Sequence, residues 1–299
     1  MRRRQLVLAR LRGPRAGPVP KLLLRPRVSS TLFYMRLAVG FTLSIELLAG
    51  VARAQTAPLN PEQPWGSWLI GTVVLPGAAG HRWGAFAEAQ ARTNALFHDY
   101  FYNELKAGGN FDIDPNFTVT VAGGRYTTSD YHDLGAGPLN VEKRLWEQLV
   151  LTQFSHRLKL EHRYRIEQRW FRFRDGSEEF RQRLRYRLNA FLPLNKKTIE
   201  AGTVFLAAYD EIFLNPRGPV FERNRIYLGA GYQLNPHLVL QVGYVNQANY
   251  NYTAAQGQFV LQNTAAKNNV VVNVTYRFGR RPTTDPAARP TEKLPSQPD

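Results

Sequence analysis

Between residues 157 and 187, bases recur at alternate positions: Arg157, Lys159, Arg163, Arg165 and Arg169, then Arg181, Arg183, Arg185 and Arg187. Only Glu161, Glu167 and Glu179 answer them on the same parity. A spacing of two sends all of these groups to one face of an extended strand. There the planar fork of arginine suits bidentate contact with carboxylate, phosphate or sulfate. Two kinds of chemistry follow. In the first, acids pair the bases into a salt-bridged plug. Glu161, Glu167 and Asp210 are the partners chosen, and Glu211, Glu200, Glu147 and Glu88 are further choices. In the second, water fills the space that the strands enclose and the bases line a path or binding site for small anionic solutes. Asp210 and Glu211 are neighbours, so only one of them points the same way as the arginines.

Other reactive groups are poorly placed. The chain has no cysteine, which removes disulfides, thiolate nucleophiles and Cys-ligated zinc. Ser155 and His156 are adjacent, hence on opposite faces of a strand, and do not form a dyad. His162 falls on the apolar parity, while His81, His98, His132 and His237 lack companions at metal-ligand spacing. Neither a metal nor a cofactor is expected. Asp130, His132 and Asp133 share a loop segment and are the acid–His cluster that a hydrolase would use. Gly229-Ala230-Gly231 is no dinucleotide loop, because alternation runs through it and no helix follows. The expectation is a protein that is not an enzyme.

The elements that carry the arginines read in twos. Opposite Arg181, Arg183, Arg185, Arg187 and Asn189 stand Phe180, Leu184, Tyr186, Leu188, Ala190 and Leu192. Val270, Val272, Val274, Tyr276 and Phe278 likewise alternate with Asn273, Thr275 and Arg277. This period places strands at about 66–75, 82–94, 97–107, 116–127, 143–154, 156–173, 179–192, 199–214, 223–234, 237–247, 256–264 and 269–278. Turn residues such as Asp175-Gly176, Asn215-Pro216 and Asn235-Pro236 separate them, and the shortest joints imply antiparallel neighbours. Longer connections at 108–115, 128–141, 215–222 and 248–256 suggest long loops at one end and short turns at the other.

Many of these strands are 10–14 residues long. A soluble strand averages about 5–6, whereas a tilted membrane strand needs about 9–11. Aromatic residues near strand ends (Trp65, Trp68, Tyr126, Trp146, Trp170, Tyr209, Tyr276 and Phe278) fit girdles at two membrane interfaces. The expected fold is therefore all-β: an antiparallel transmembrane-type barrel of about 12 strands over residues 55–278, with the arginines facing the lumen. The competing readings are a soluble periplasmic β-protein that binds an anionic ligand and, less favoured, an outer-membrane hydrolase.

The formal net charge of +16 is unevenly spread. Residues 1–54 hold eleven bases and one acid, which leaves +6 for the remainder, so no nucleic-acid partner is expected. Met35-Arg36, the apolar run Leu37–Ala49 and the ending Ala52-Arg53-Ala54 match a signal peptide that starts at Met35 and is cleaved after Ala54. Residues 279–299, rich in Pro, Thr and charge, read as a disordered tail. The expected location is the bacterial outer membrane, with its lipid and its assembly machinery as partners. Val270 to Phe278 resembles the closing strand, ending on an aromatic residue, that this machinery recognises, although here 21 residues follow it.

Several segments also resemble the family catalogued as domain of unknown function 2490, bacterial outer-membrane-barrel-like proteins. They are Trp65-Gly66-Ser67-Trp68, Arg144-Leu145-Trp146-Glu147-Gln148, Glu161 to Arg169, Arg183 to Arg187, Tyr209 to Asn215, Asn224-Arg225 and Gly229 to Tyr232. The resemblance covers about residues 65–278 and implies a fold and a location but no activity.

Overall fold

The computed structural model describes residues 65–77 and 81–279. The basic extension, the signal peptide and all but the first residue of the expected tail lie outside them. Eleven strands follow one another: β1 (Trp65–Leu75), β2 (Trp83–Ala95), β3 (His98–Asp112), β4 (Phe117–Ser129), β5 (Pro138–Ser155), β6 (Leu158–Phe173), β7 (Glu178–Pro193), β8 (Thr203–Leu214), β9 (Phe221–Gln233), β10 (Leu238–Ala255) and β11 (Gln258–Arg277). Each pairs with the next in sequence, and β11 closes on β1 to complete a barrel.

The count is eleven rather than about twelve because the segments expected at 256–264 and 269–278 are one strand. Ala265 to Asn268 look like a break by residue type, yet Ala266 pairs with Ala248 and Asn268 with Asn246. Propensity yields here to cross-strand pairing. The odd number has a topological consequence. In a closed up-and-down meander of odd count one neighbouring pair must run parallel, and that pair is β1 with β11, from Trp65↔Asn268 to Val74↔Arg277. The all-antiparallel expectation fails at this seam alone, and the chain enters β1 and leaves β11 at opposite ends. We call the end at Trp65 the first rim and the end at Arg277 the second.

The connections are not sorted by length as expected. The first rim carries the two-residue turns 96–97 and 256–257 beside the longer 130–137, and the second rim carries 156–157 beside 194–202. Positive φ at Phe97, His156 and Gln256 belongs to the tight turns.

The wall is inverted relative to a soluble barrel. Along β6, Lys159, Glu161, Arg163, Arg165, Glu167 and Arg169 are buried inside, while Tyr164, Ile166 and Trp170 are exposed outside. The same holds around the circle, with Leu69, Leu105, Val121, Leu145, Leu184, Leu206, Leu228, Val242 and Val274 all facing outward. Exposed aromatics occur at both rims: Trp65, Phe97, Tyr100, Trp170 and Phe180 at the first, and Trp83, Phe117, Phe154, Tyr232 and Tyr276 at the second. Trp68, Tyr126, Trp146 and Tyr209, expected in such girdles, are instead buried inside.

Beside the charged part of the interior lies an apolar layer of Trp68, Ile70, Phe191, Phe205, Tyr209, Tyr227, Val239, Val245 and Val271. Glycines make room for its rings: a Cβ on Gly231 would stand 2.2 Å from Phe205.

Candidate functional site

Strand register dictates the interior chemistry. It sets Arg163 opposite Arg187, Arg165 opposite Arg185, and Arg169 opposite Arg181 across β6 and β7. On the β5 side it also sets Arg144 opposite Arg169. Facing like charges at this spacing repel, so the arrangement holds only if carboxylates reach in between. Three do.

Glu211 of β8 sits 2.6 Å from each of Arg163, Arg185 and Arg187 and 3.9 Å from Arg225. Glu167 meets Arg183 and Arg185 at 2.7 Å, Arg144 at 3.5 Å and Arg165 at 3.7 Å. Glu142 holds Arg144 and Arg169, both at 2.7 Å. Arg185 joins the first two nodes and Arg144 the last two, so the network is continuous from β5 to β9. Glu167, Glu211 and Arg187 retain no exposed surface. A second group lies on β2 and β3, where Lys106 bridges Glu88 and Glu104 at 2.7 and 2.8 Å.

Aromatic faces hold the guanidiniums flat. Arg144 lies 3.8 Å over Tyr126, Arg92 lies 4.0 Å over Trp68, Arg187 lies 4.1 Å over Tyr209, and Arg185 and Arg225 share Phe213. A stacked guanidinium keeps its in-plane N–H edges free for oxyanions while its face is shielded from water.

Pairing does not neutralise the interior. Among the described residues, the buried charged ones comprise eleven bases (Arg92, Lys106, Arg144, Lys159, Arg163, Arg165, Arg169, Arg183, Arg185, Arg187 and Arg225) and six acids (Glu88, Glu104, Glu142, Glu161, Glu167 and Glu211). Five positive charges are therefore in excess. Uncompensated charge in a poorly hydrated space is costly.

Of the residues singled out in the sequence, Arg163, Arg165, Arg169, Arg183, Arg185, Arg187, Glu161 and Glu167 converge inside. Glu161 pairs with Lys159 at 2.9 Å and accepts from Asn189 at 3.4 Å. Three do not fit the expectation. Arg157 lies in the β5–β6 turn, exposed, and donates to the carbonyls of Pro193, Leu194 and Lys196, because the strand ends at Ser155 before the alternation would turn it inward. Arg181 is half-exposed at the first rim, paired with Glu179 at 2.5 Å. Asp210 faces outward, where its carboxylate accepts from Asn224 at 2.7 Å, and Glu211 takes the interior place by parity.

Reading the sequence missed Arg92, Lys106, Arg144, Arg225, Glu104 and Glu142. Their signal was present but short, as in Glu142-x-Arg144-x-Trp146-x-Gln148 and Glu88-x-Gln90-x-Arg92. The loop cluster is explained by backbone geometry. Asp130 accepts from the His132 amide at 3.0 Å and Asp133 from the Ala136 amide at 3.1 Å, which are turn-forming contacts. On the outer wall, His162 Nδ1 and the Tyr186 hydroxyl share a hydrogen bond of 2.8 Å. Among the described residues no three His, Asp or Glu side chains are grouped to hold a metal ion.

No curated protein and no solved structure matches the chain. One family does, over residues 65–258, which runs from the first residue of β1 to the first of β11. The chain thus belongs to the family described as "Protein of unknown function (DUF2490)".

Proposed function

We propose that the protein is an outer-membrane β-barrel whose basic, salt-bridged lumen takes up small anionic solutes. One observation carries the reading: among the described residues charge is inside and apolar surface outside, with eleven buried bases against six buried acids. An outer wall of Leu, Val and aromatic side chains over strands of 11 to 20 residues suits lipid. The positive surplus within suits anions. Arg163, Arg187, Glu167 and Glu211 close the middle, so the lumen is a constriction rather than a wide channel.

Expression from Met35 with membrane fractionation tests this. The expected result is recovery with the outer membrane, a gel mobility that shifts on boiling, and an anion-selective reversal potential in planar bilayers. Recovery in the soluble periplasm, or cation selectivity, would overturn it.

A further inference from the structure

Glu222, the second residue of β9, differs from the other lumen carboxylates. Its side chain retains 30% exposure, whereas Glu142 retains 6% and Glu167 and Glu211 none. Its partners reach it by the same edge. Arg183 commits Nε and Nη2 to Glu167 and turns Nη1 to Glu222 at 3.2 Å. Arg169 commits Nε and Nη2 to Glu142 and turns Nη1 to Glu222 at 3.9 Å. Arg223, next in sequence, donates Nε to Asn249 at 2.6 Å and interacts electrostatically with Arg183, Glu222 and Arg169. The terminal nitrogens of Arg223 carry no hydrogen bond to the described residues.

Two guanidinium edges, those of Arg183 and Arg169, therefore meet at the first rim on one carboxylate oxygen, Oε1 of Glu222, and Arg223 stands next to that glutamate in sequence as a third base. Arg169 and Arg183 are 10% and 3% exposed in their side chains and are fixed by carboxylates behind them. Glu222 meets both through Oε1 and keeps 30% of its side chain exposed. A tetrahedral oxyanion presents several oxygens to such edges, where the glutamate presents one to both.

We propose that Arg169, Arg183 and Arg223 form a binding site for a phosphate- or sulfate-class oxyanion at the mouth of the lumen, and that Glu222 occupies it as a built-in competitor. The proposal rests on the reading of the lumen as anion-attracting and adds its place, its ligand class and its regulation. An arriving oxyanion displaces Glu222, whose carboxylate swings into water, and no covalent step is involved. The group bound is the same whether it is free phosphate or the phosphomonoester of a lipid.

The test titrates the purified full chain in detergent with inorganic phosphate and with sulfate by calorimetry, at constant ionic strength. Glu222→Gln removes the competitor while leaving Arg183 and Arg169 their inner partners, so folding persists, and phosphate should bind about tenfold or more tighter. Arg223→Gln, half-buried and away from the central nodes, should weaken phosphate about tenfold. Micelles containing phosphatidic acid form the second arm. Competition with phosphate there identifies the lipid-borne source, and its lack identifies the free ion; either agrees with the proposal. Phosphate binding that is unchanged in both variants would overturn the mouth site and leave the basic lumen standing. No anion binding in any variant, wild type included, would overturn both. Membrane partitioning does not enter, because the titration reads the barrel in detergent.

Discussion

Glu211→Gln is the sharpest probe of the interior. The substitution keeps the shape of a side chain with no exposed surface and removes the charge that three arginines approach to 2.6 Å. Its amide also turns N–H groups toward guanidinium N–H groups. At an effective dielectric near 20, a charge pair about 4 Å apart attracts by about 4 kcal/mol. Three such pairs would give about 12 kcal/mol, from which the desolvation of the carboxylate, several kcal/mol, is subtracted. Breaking buried ion pairs by removing one partner costs about 3–5 kcal/mol, and that lower figure is the one adopted. For a chain of this size each kcal/mol moves the thermal midpoint by about 2–4 °C, so the expected fall is about 6–20 °C. The assay is the temperature at which the folded, fast-migrating gel band converts to the unfolded one. Glu179→Gln, in an ion pair that is half-exposed on both sides, is the control and should shift it by under about 4 °C, since such pairs contribute at most about 1 kcal/mol. Adding Arg187→Gln to Glu211→Gln removes one stranded charge and should recover part of the loss. A Glu211→Gln midpoint within the control range, or a double variant that falls by the sum of the single effects, would refute the reasoning.

Three further outcomes follow from particular contacts. Leu228→Arg and Val242→Lys, at positions 61% and 56% exposed on the outer wall, should each cost about 2–4 kcal/mol in a bilayer and lower the folded yield in the membrane fraction. Undiminished yield would speak for water at that wall. Gly231→Ala places a Cβ 2.2 Å from the Phe205 ring and should lower stability by about 1–3 kcal/mol. Gly71→Ala, with nothing within 4 Å, should be nearly neutral in the same gel assay. Arg157→Ala releases the carbonyls of Pro193, Leu194 and Lys196 and should open the 194–202 loop to limited proteolysis while leaving the mobility shift unchanged.

What the sequence revealed and hid has a physical pattern. Period-two alternation over β6 and β7 fixed which side chains share a face, because parity along a strand is rigid. The family, the all-β class and the closed barrel follow from such local patterns. Strand number failed where polar and small residues, Ala265 to Asn268, are held by their neighbour β10 rather than by their own propensity. The parallel β1–β11 seam was invisible for a related reason: it is a property of the total count and belongs to no segment. At the interior, alternation identified the arginines of β6 and β7 but not Arg92, Arg144 and Arg225, because their runs of alternating charge are short and the register with the neighbouring strands, Arg144↔Arg169 and Glu211↔Arg225, is what brings the last two into the network. The choice between Asp210 and Glu211 turned on one position of register, which the Arg187↔Glu211 pair decides.

The central claim is that the apolar outer wall faces lipid. The chain has no cysteine, so single cysteines introduced at Leu228, Leu240 and Val242 can each carry the only spin label on a barrel reconstituted in vesicles. The account predicts that dissolved oxygen, which concentrates in hydrocarbon, relaxes all three labels strongly while a water-soluble nickel chelate does not. Ready relaxation by the nickel chelate at these positions would contradict it, because water would then cover the wall assigned to the bilayer.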